Sequence, residues 1–341
     1  MNILRKALFP LSWMYDGITR LRNVAYSLGW LKSESFSIPT IVVGNLSAGG
    51  TGKTPMTAYL IELLQKDHKI AVLSRGYKRK TSGFQMANSK STPAQLGDES
   101  FQLYQKFDDV VVAVDEDRPH GVQSLISNHP DLEGILLDDA YQHRKLEPSF
   151  RILLTTYDQP WVRDCLLPSG NLREAAVGKN RADVVVVTKC PTDLSEEDTT
   201  LFKNKLQLMP HQALFFASIV YDDYLLGVQK QLLSDFVTKD FVLVTGIANP
   251  SSLLYHLDRL GARYTHLAYA DHHDFSLADI KKIRRHNLPI LTTEKDYVRL
   301  KQHRLKKLYF LPIQQRFLFE GSTFNNLVKS QFESGTKSQN Q

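Results

Sequence analysis

A glycine-rich segment at residues 44–54 has the residue types that bind a nucleotide phosphate. It reads Gly-Asn-Leu-Ser-Ala-Gly-Gly-Thr-Gly-Lys-Thr, between an apolar run and a predicted helix. Glycines let successive backbone N–H groups surround phosphate oxygens, and a helix amino terminus adds a favourable dipole. In such a loop Lys53 reaches the β- and γ-phosphates and the Thr54 hydroxyl binds Mg²⁺. The predicted phosphate-binding residues are Ser47, Ala48, Gly49, Gly50, Thr51, Gly52, Lys53 and Thr54.

This loop departs from the general phosphate-loop (P-loop) pattern at one position. The pattern places a glycine five residues before Gly52, where this chain has Ser47. Gly49 and Gly50 supply flexibility further along the loop. Its position after an apolar strand and before a helix therefore still predicts a P-loop.

A second carboxylate at the end of a neighbouring strand completes the magnesium site of P-loop enzymes. Asp138 and Asp139 follow the apolar run at residues 134–137 and are the candidates. A strand ending in a polar turn is the alternative interpretation, but the loop upstream favours a metal role. The spacing does not distinguish which of the two carboxylates binds the metal.

Further residues would recognise the nucleotide base and neutralise the phosphate charge. Guanine-specific proteins carry Asn/Thr-Lys-x-Asp after a late strand, whereas residues 188–191 read Thr-Lys-Cys-Pro and residues 293–296 have the wrong spacing. The sequence therefore predicts ATP. Arginine is well suited to binding phosphate, and the candidates near strand ends or in loops are Arg75, Arg118 and Arg173.

Strands and helices alternate from residue 38 onward, and these elements would position the candidate residues. Such alternation predicts an α/β fold with a parallel sheet covered by helices on both faces. The first series has strands at residues 38–44, 70–74, 110–114, 134–138, 152–156 and 184–188, with helices at 55–64 and 99–107. The second series has strands at 241–245, 265–269, 290–293 and 309–312, with helices at 251–260 and 277–285.

The two series predict a P-loop domain and a smaller α/β domain, which a chain of 341 residues can accommodate. Its two cysteines, Cys165 and Cys190, form no close-spaced pair and favour a reducing cytosol over a disulfide-forming compartment. We expect the P-loop domain at residues 37–211, a linker at 212–228, the smaller α/β domain at 229–328 and a disordered tail at 329–341.

Residues 1–36 predict an amphipathic helix. Leu11, Met14, Ile18, Leu21 and Leu28 recur at helical spacing. Basic residues outnumber acidic ones five to two in this segment, which is typical of a helix lying at a membrane interface. A helix packed on the domain core is the alternative. The net charge of +6 suits an anionic partner, and no apolar run is long enough to predict a membrane span.

Several motifs occur along the chain in a distinctive order. They are Gly44-Asn45 with Gly49-Gly50-Thr51-Gly52-Lys53-Thr54-Pro55, Leu73-Ser74-Arg75-Gly76-Tyr77, Gly97-Asp98-Glu99, Asp138-Asp139-Ala140-Tyr141-Gln142-His143, Leu166-Leu167-Pro168-Ser169-Gly170, Leu172-Arg173-Glu174, Gly246-Ile247-Ala248-Asn249-Pro250, Asp271-His272 and Thr293-Glu294-Lys295-Asp296. Together they resemble the tetraacyldisaccharide 4′-kinase family of lipid A biosynthesis in Gram-negative bacteria. The departures at Lys78, Ser100 and Ala140-Tyr141 affect details of substrate contact only.

This resemblance implies transfer of the γ-phosphoryl group of ATP, with Mg²⁺, to the 4′-hydroxyl of a tetraacylated glucosamine disaccharide 1-phosphate. It implies that Asp98 accepts the hydroxyl proton, paired with His272, so that closure of the two domains completes the site. Gln142, in the motif at residues 138–143, is a further candidate contact to substrate or phosphate. The resemblance also implies a peripheral protein at the cytoplasmic face of the inner membrane, held on an anionic surface by its N-terminal helix.

Two other functions stay open from the sequence. A soluble P-loop kinase for a small sugar would not need the N-terminal helix. A switch-type ATPase or metallochaperone would use the motif at residues 271–273 and the cysteines. A nucleic-acid partner is not expected, because the basic residues form only one short cluster, at 78–80, without interleaved aromatic residues. No obligate protein partner is evident.

Overall fold

A computed structural model describes residues 8–337 of the chain, with side chains to residue 333. The ends of the predicted N-terminal segment and of the predicted tail, residues 1–7 and 338–341, lie outside the described residues. The helix expected in the N-terminal segment is α1 (Phe9–Ser27). Within the described range, no helix is both long and apolar enough to cross a membrane.

The first sheet has nine strands, and its parallel core confirms the predicted α/β class. Its central strands are buried along their whole length, because helices cover both faces of the sheet. Its strands, in spatial order, are β15 (Ile313–Phe317), β8 (Ala213–Tyr221), β7 (Val184–Thr188), β6 (Phe150–Thr156), β1 (Thr40–Asn45), β5 (Gly134–Asp138), β2 (Ile70–Ser74), β4 (Val111–Val114) and β3 (Gln85–Met86). Its helices are α2 (Lys53–Leu64), α3 (Pro93–Leu96), α4 (Asp98–Lys106), α5 (Arg118–Asn128), α6 (Glu196–Leu206) and α11 (Gly321–Lys337), with 3₁₀ turns at Trp161–Arg163 and Ala176–Arg181.

The second sheet has six strands and forms the smaller domain. Strands β11 to β14 are parallel, β9 pairs antiparallel with β14, and the edge strand β10 pairs antiparallel with β9. Its strands, in spatial order, are β10 (Gln231–Leu232), β9 (Tyr224–Gly227), β14 (Leu308–Leu311), β13 (Ile290–Thr293), β11 (Phe241–Thr245) and β12 (Tyr264–Ala268). Its helices are α7 (Leu233–Phe236), α8 (Ser251–Arg259), α9 (Leu277–Arg285) and α10 (Glu294–Lys301).

The domain boundaries differ from those expected from the sequence. Residues 212–228 are not a free linker, since most of them form β8 and β9, which pair with β7 and β14. After the second sheet the chain returns to the first one, where β15 pairs antiparallel with β8. The segment at 229–328 therefore does not form one domain, and the smaller domain is an insertion between two neighbouring strands of the larger one.

The predicted tail is also ordered as far as it is described. Helix α11 contains residues 329–337, and its apolar side chains lie in the core on one face of the first sheet. Phe324, Val328 and Phe332 are buried there, at the helical spacing of four residues. The polar composition of this segment predicted disorder, but these three side chains bury enough apolar surface to hold the helix in place.

Candidate active site

The P-loop connects the end of β1 to the start of α2, as predicted. Gly49 and Gly52 have φ angles of 124° and 86°, in the left-handed region that favours glycine. Gly52 immediately precedes the helix and directs the chain so that Lys53 and Thr54 open its first turn. Free N–H groups of this first turn are available to a phosphate group.

The side chains around Lys53 point toward the same space. Lys53 Nζ donates to Asn45 Oδ1 at 3.3 Å and lies 3.7 Å from Asp139 Oδ1. Thr54 is half-buried beside it. The hydroxyl of Thr51 is buried and has no hydrogen-bond partner within residues 8–337. A lysine, hydroxyl groups and N–H groups therefore converge at the end of β1.

The two carboxylates at the end of β5 have different environments. Thr57 Oγ1 donates to Asp138 Oδ1 at 3.1 Å, but burial and then the charge of Asp139 raise the pKa of Asp138 to about 6. Burial alone would also raise the pKa of Asp139, but the charges of Lys53 and Arg173 hold it below its ordinary value. Asp138 therefore carries a poorly compensated buried charge, whereas Asp139 is paired.

A segment at residues 166–174 covers the P-loop. Its backbone exchanges hydrogen bonds with the loop, from Ala48 N to Asn171 O at 2.6 Å and from Arg173 N to Leu46 O at 2.7 Å. Arg173 then reaches over the loop, and its Nη1 donates to the two carboxylate oxygens of Asp139 at 2.8 and 3.0 Å. The sequence-predicted Arg173 thus lies beside the P-loop and pairs with Asp139.

Gln142 supports the P-loop from the other side. Its Nε2 donates to the Asn45 carbonyl oxygen at 2.7 Å and to Glu174 Oε1 at 3.1 Å. Arg181 Nη2 donates to both oxygens of Glu174, at 2.8 and 2.9 Å. The Gln142 amide therefore contacts protein groups and supports the loop structurally, at a position adjacent to the site.

Arg118 begins α5 and is 1% exposed, which is rare for an arginine. Its Nη1 donates to the Asp115 carbonyl oxygen at 2.6 Å, while its Nε and Nη2 have no hydrogen-bond partner in the described chain. Burial lowers its pKa to about 10. Arg118 borders a pocket of about 400 Å³ that is also lined by Arg22, Tyr26, Glu116, Asp117, Pro119, His143 and Lys145.

Arg75 follows β2 and is exposed. Its charge acts on Arg118 and on His143, and both effects lower the pKa of these groups. Burial is the larger cause for His143, whose pKa falls to about 4, so that this imidazole is neutral at physiological pH. Arg75 and Arg118 therefore belong to one basic region beside the carboxyl ends of β2 and β5.

Asp98 and His272 meet across the two domains. Asp98 is the first residue of α4 in the first domain, and His272 lies in the loop after β12 in the second. Asp98 Oδ2 lies 3.2 Å from His272 Nδ1 and 3.5 Å from Arg299 Nε. Burial alone would raise the pKa of Asp98, but the hydrogen bond from His272 and the charge of Arg299 hold it below its ordinary value.

His272 and His273 bind different carboxylates. His272 contacts Asp98, whereas His273 Nε2 lies 3.0 Å from Asp279 Oδ2. The residues from 8 to 337 contain no cluster of three or more histidine, cysteine or carboxylate side chains that could hold a metal. The two histidines therefore do not support the zinc site that a metallochaperone would need.

The dyad of Asp98 and His272 is close to the P-loop site. The charge of Glu99, the residue after Asp98, acts on Asp138 at the end of β5. Gly97 (φ 81°) and His272 (φ 57°) have positive φ angles, so the backbone turns sharply in both segments that form the Asp98–His272 contact. Lys53, Asp139 and Arg173 are therefore joined by direct contacts beside Asp138, and the charge of Glu99 couples the Asp98–His272 pair to Asp138.

Sequence reasoning missed several residues of this region. Lys295 and Arg299 of α10 contact the dyad, and Asn45 contacts Lys53. Lys295 and Asn45 stand inside motifs quoted above, but nothing in their spacing indicates a partner far along the chain. Arg299 lies one helical turn after Lys295, and this i, i+4 spacing on one helix face was the available signal.

Comparisons with known proteins indicate a single family. The family model described as LpxK, tetraacyldisaccharide-1-P 4′-kinase, matches residues 4–333. The tetraacyldisaccharide 4′-kinase of Flavobacterium johnsoniae is 47% identical over 329 residues, covering 95% of this chain and 96% of the relative. That of Phocaeicola vulgatus is 44% identical over 334 residues, covering 92% and 91%.

A solved structure has the same fold. The "apo" form of LpxK from Aquifex aeolicus, crystallised in complex with ATP, superimposes with a TM-score of 0.81 at 29% identity. The alignment covers 97% of this chain and 100% of that one. Because the family model matches residues 4–333 and these relatives are 44–47% identical over more than nine-tenths of the chain, this chain belongs to the tetraacyldisaccharide-1-P 4′-kinase family.

Proposed function

We propose that this chain carries out its family's reaction, the ATP-dependent phosphorylation of the 4′-hydroxyl of a tetraacylated glucosamine disaccharide 1-phosphate in lipid A biosynthesis, with the residues described here in the roles below. The observation that carries this proposal is the Asp98–His272 contact. It brings together a carboxylate and an imidazole from two domains, next to Glu99, whose charge acts on Asp138 at the end of β5. A phosphoryl acceptor bound between the domains would meet both the nucleotide and a base.

Residues 47–54 hold the ATP phosphates in this proposal. The N–H groups of the loop and of the first turn of α2 surround the β- and γ-phosphate oxygens. Lys53 exchanges its contact with Asp139 for the phosphates, and Arg173 places a second positive charge over them. Phosphoryl transfer needs positioning and charge neutralisation more than covalent help, and these residues supply both.

The donor set at the end of β5 fits Mg²⁺. Magnesium in phosphate sites takes one or two carboxylates and a hydroxyl, with substrate phosphates and water completing its octahedron. Asp138, with its poorly compensated buried charge, Asp139 and the Thr54 hydroxyl offer these ligands. An ion held by these residues would supply positive charge that neutralises the nucleotide phosphates.

Asp98 is the base in this mechanism. The 4′-oxygen attacks the γ-phosphorus as the bond from that phosphorus to the β,γ-bridging oxygen breaks, and Asp98 accepts the hydroxyl proton. A base must be ionised before it can accept a proton. The lowered pKa of Asp98 keeps it ionised, and the hydrogen bond from His272 fixes which oxygen faces the substrate.

The basic pocket beside Arg118 is the proposed place for the sugar headgroup. Arg22, Arg118 and Lys145 line it, so it suits a phosphorylated disaccharide. The unpaired Nη2 of Arg118 is a buried donor without a protein partner, and a phosphate or sugar oxygen would satisfy it. The charge of Arg75 acts on Arg118, and Gln142 holds the start of the P-loop through the Asn45 carbonyl oxygen.

Helix α1 is proposed to lie on an anionic membrane, and its inverted polarity supports this role. Its polar face packs on the protein, where Ser12 Oγ donates to Ser169 Oγ at 2.8 Å and Tyr15 Oη donates to the Arg173 carbonyl oxygen at 2.7 Å. Its apolar face points outward, with Trp13 73% exposed and Leu21 67% exposed. Apolar side chains facing away from the core indicate an interfacial helix. Because ATP is supplied in the cytosol, we propose the cytoplasmic face of the inner membrane.

The test follows label from γ-labelled ATP into lipid A disaccharide 1-phosphate in detergent micelles. We expect labelled lipid with the unaltered protein and none with Lys53→Ala. Release of inorganic phosphate with unlabelled lipid would reject the kinase and favour a switch-type ATPase. Labelling of a free disaccharide at the same rate as the lipid would reject the lipid substrate and favour a soluble sugar kinase.

A further inference from the structure

Lys295 lies against the imidazole of the proposed catalytic dyad. It belongs to the first turn of α10, and its Nζ lies 2.8 Å from His272 Nε2. The same ammonium group lies 3.1 Å from Glu99 Oε1 and 3.7 Å from Asp271 Oδ1. Its two carboxylate contacts indicate that Lys295 is charged.

This contact determines the tautomer of His272. A lysine ammonium has three donors and no acceptor, so the Nε2 atom of His272 must accept and carries no proton. The single proton of the ring is then on Nδ1, which donates to Asp98 Oδ2. A doubly protonated imidazole would place two cations 2.8 Å apart, with both atoms able only to donate.

Two carboxylates near His272 Nε2 would favour a proton on that atom, and Lys295 opposes this effect. Glu99 Oε1 lies 3.6 Å from His272 Nε2, and Asp271 Oδ2 lies 4.0 Å from it. Without Lys295 these two negative charges would favour a proton on Nε2. The ammonium group lies among all three groups and neutralises the carboxylates while filling the Nε2 lone pair.

We propose that Lys295 is a positioning residue that keeps His272 neutral in its Nδ1–H tautomer and so preserves the basicity of Asp98. An imidazolium beside Asp98 would stabilise the carboxylate and weaken it as a base. Lys295 acts through His272, and the inference rests on the proposed role of Asp98. The other groups facing this imidazole are the Tyr77 ring, whose centroid is 5.6 Å away, and Arg299, which contacts Asp98.

The experiment compares pH profiles of kcat/KM for the lipid in the unaltered protein, Lys295→Met and Lys295→Arg. We expect Lys295→Met to move the acid limb upward by about one pH unit and to recover most of its activity above that limb. Lys295→Arg keeps a donor charge and should keep the limb. A matched control is Lys106→Met, since Lys106 lies at the same domain contact but 3.8 Å from Glu62 and Glu294.

A second readout does not depend on turnover. Nitrogen NMR of His272, assigned with His272→Gln, should show the Nδ1–H tautomer in the unaltered protein and an imidazolium at higher pH in Lys295→Met. The inference would be overturned if the unaltered protein and Lys295→Met had the same acid limb and the same imidazole titration, with kcat of the variant lowered equally at every pH. An Nε2–H tautomer in the unaltered protein would also overturn it. If Asp98→Asn retained full turnover, the proposed base would fail while the tautomer result stood by itself.

Discussion

Arg173 binds both carboxylate oxygens of Asp139 through a single guanidinium nitrogen, at 2.8 and 3.0 Å. The pair joins the covering segment at residues 166–174 to the end of β5. In the proposed complex with ATP, both residues would redistribute their contacts between protein and phosphate. The ion pair thus holds the site in order before ATP binds.

Arg173→Met should therefore weaken nucleotide binding. We expect the KM for ATP to rise about tenfold, because a charge-assisted hydrogen bond contributes about 1.5 kcal/mol or more. Steady-state kinetics with varied ATP would measure it. Arg163→Met, which removes an exposed arginine from the preceding 3₁₀ turn, is the control. Equal KM values in the two variants would exclude Arg173 from the phosphate site.

Replacing the proposed base should separate binding from chemistry. Asp98→Asn keeps the size of the side chain but cannot accept a proton, so kcat should fall by about 10²-fold or more while the KM for ATP is unchanged. The matched control is Asp279→Asn, since Asp279 also pairs with a histidine, His273, outside the site. A loss of turnover as large in the control would argue for a general effect on the second domain.

The adjacent aspartates should affect stability in opposite directions. Asp138 has a folded pKa of about 6 against an ordinary 3.8, so its ionisation opposes folding as pH rises from about 4 to 6. Without Mg²⁺ and ATP, Asp138→Asn should raise the free energy of unfolding at pH 8 by up to about 3 kcal/mol, and this gain should vanish near pH 4.

Asp139 has a lowered folded pKa, so its ionised form stabilises the fold above the unfolded pKa. That contribution is lost as pH falls through the folded pKa. Asp139→Asn should therefore lower the free energy of unfolding at pH 8. Denaturant titrations of both variants at pH 4.5 and pH 8 test the pair of predictions, and changes of the same sign at pH 8 would contradict them.

The outward face of α1 should control membrane binding. Leu21→Ser should reduce co-sedimentation with vesicles that contain anionic lipid, because it removes an apolar side chain from the proposed interface. Leu277→Ser is the control, since Leu277 is 83% exposed on the second domain. Activity on lipid dispersed in detergent should change little in either variant. Equal loss of sedimentation in both would refute a specific role for α1.

Phe332 should be important for the stability of the first domain. It is buried near the end of α11 and lies so close to Gly134 of β5 that a Cβ there would collide with its ring. Phe332→Ala should lower the free energy of unfolding by about 3–5 kcal/mol. Thermal unfolding would measure the loss. A variant as stable as the unaltered protein would favour the interpretation of this segment as a disordered tail.

Local patterns in the sequence predicted most of the strands and the P-loop. Buried parallel strands are continuous apolar runs, so β2, β5, β7 and β11 lie at their predicted positions. Lys53 and Asp138 could be found because a glycine-rich turn and a strand end mark them locally. The partner of Asp98 could not be derived in this way, since His272 is 174 residues further along the chain and only the family resemblance indicated it.

The return of the chain to the first sheet was also beyond local patterns. β15 is a short strand of mixed polarity at the edge of the sheet, and its pairing with β8 depends on a contact across the whole second domain. Most residues of α11 are polar, so the composition of the segment predicted disorder even though three of its aromatic and aliphatic side chains are buried. Boundaries drawn at changes of composition therefore failed where the topology is discontinuous.

This discontinuity sets the order in which the protein can be completed on the ribosome. Every strand of the second sheet has been synthesised once Leu311 emerges, but the first sheet still lacks β15 and the helix that covers one of its faces. Until Phe324 and Val328 follow, the apolar surface that they cover is exposed in a growing chain. The first domain can therefore complete its sheet only after all strands of the second sheet have been synthesised.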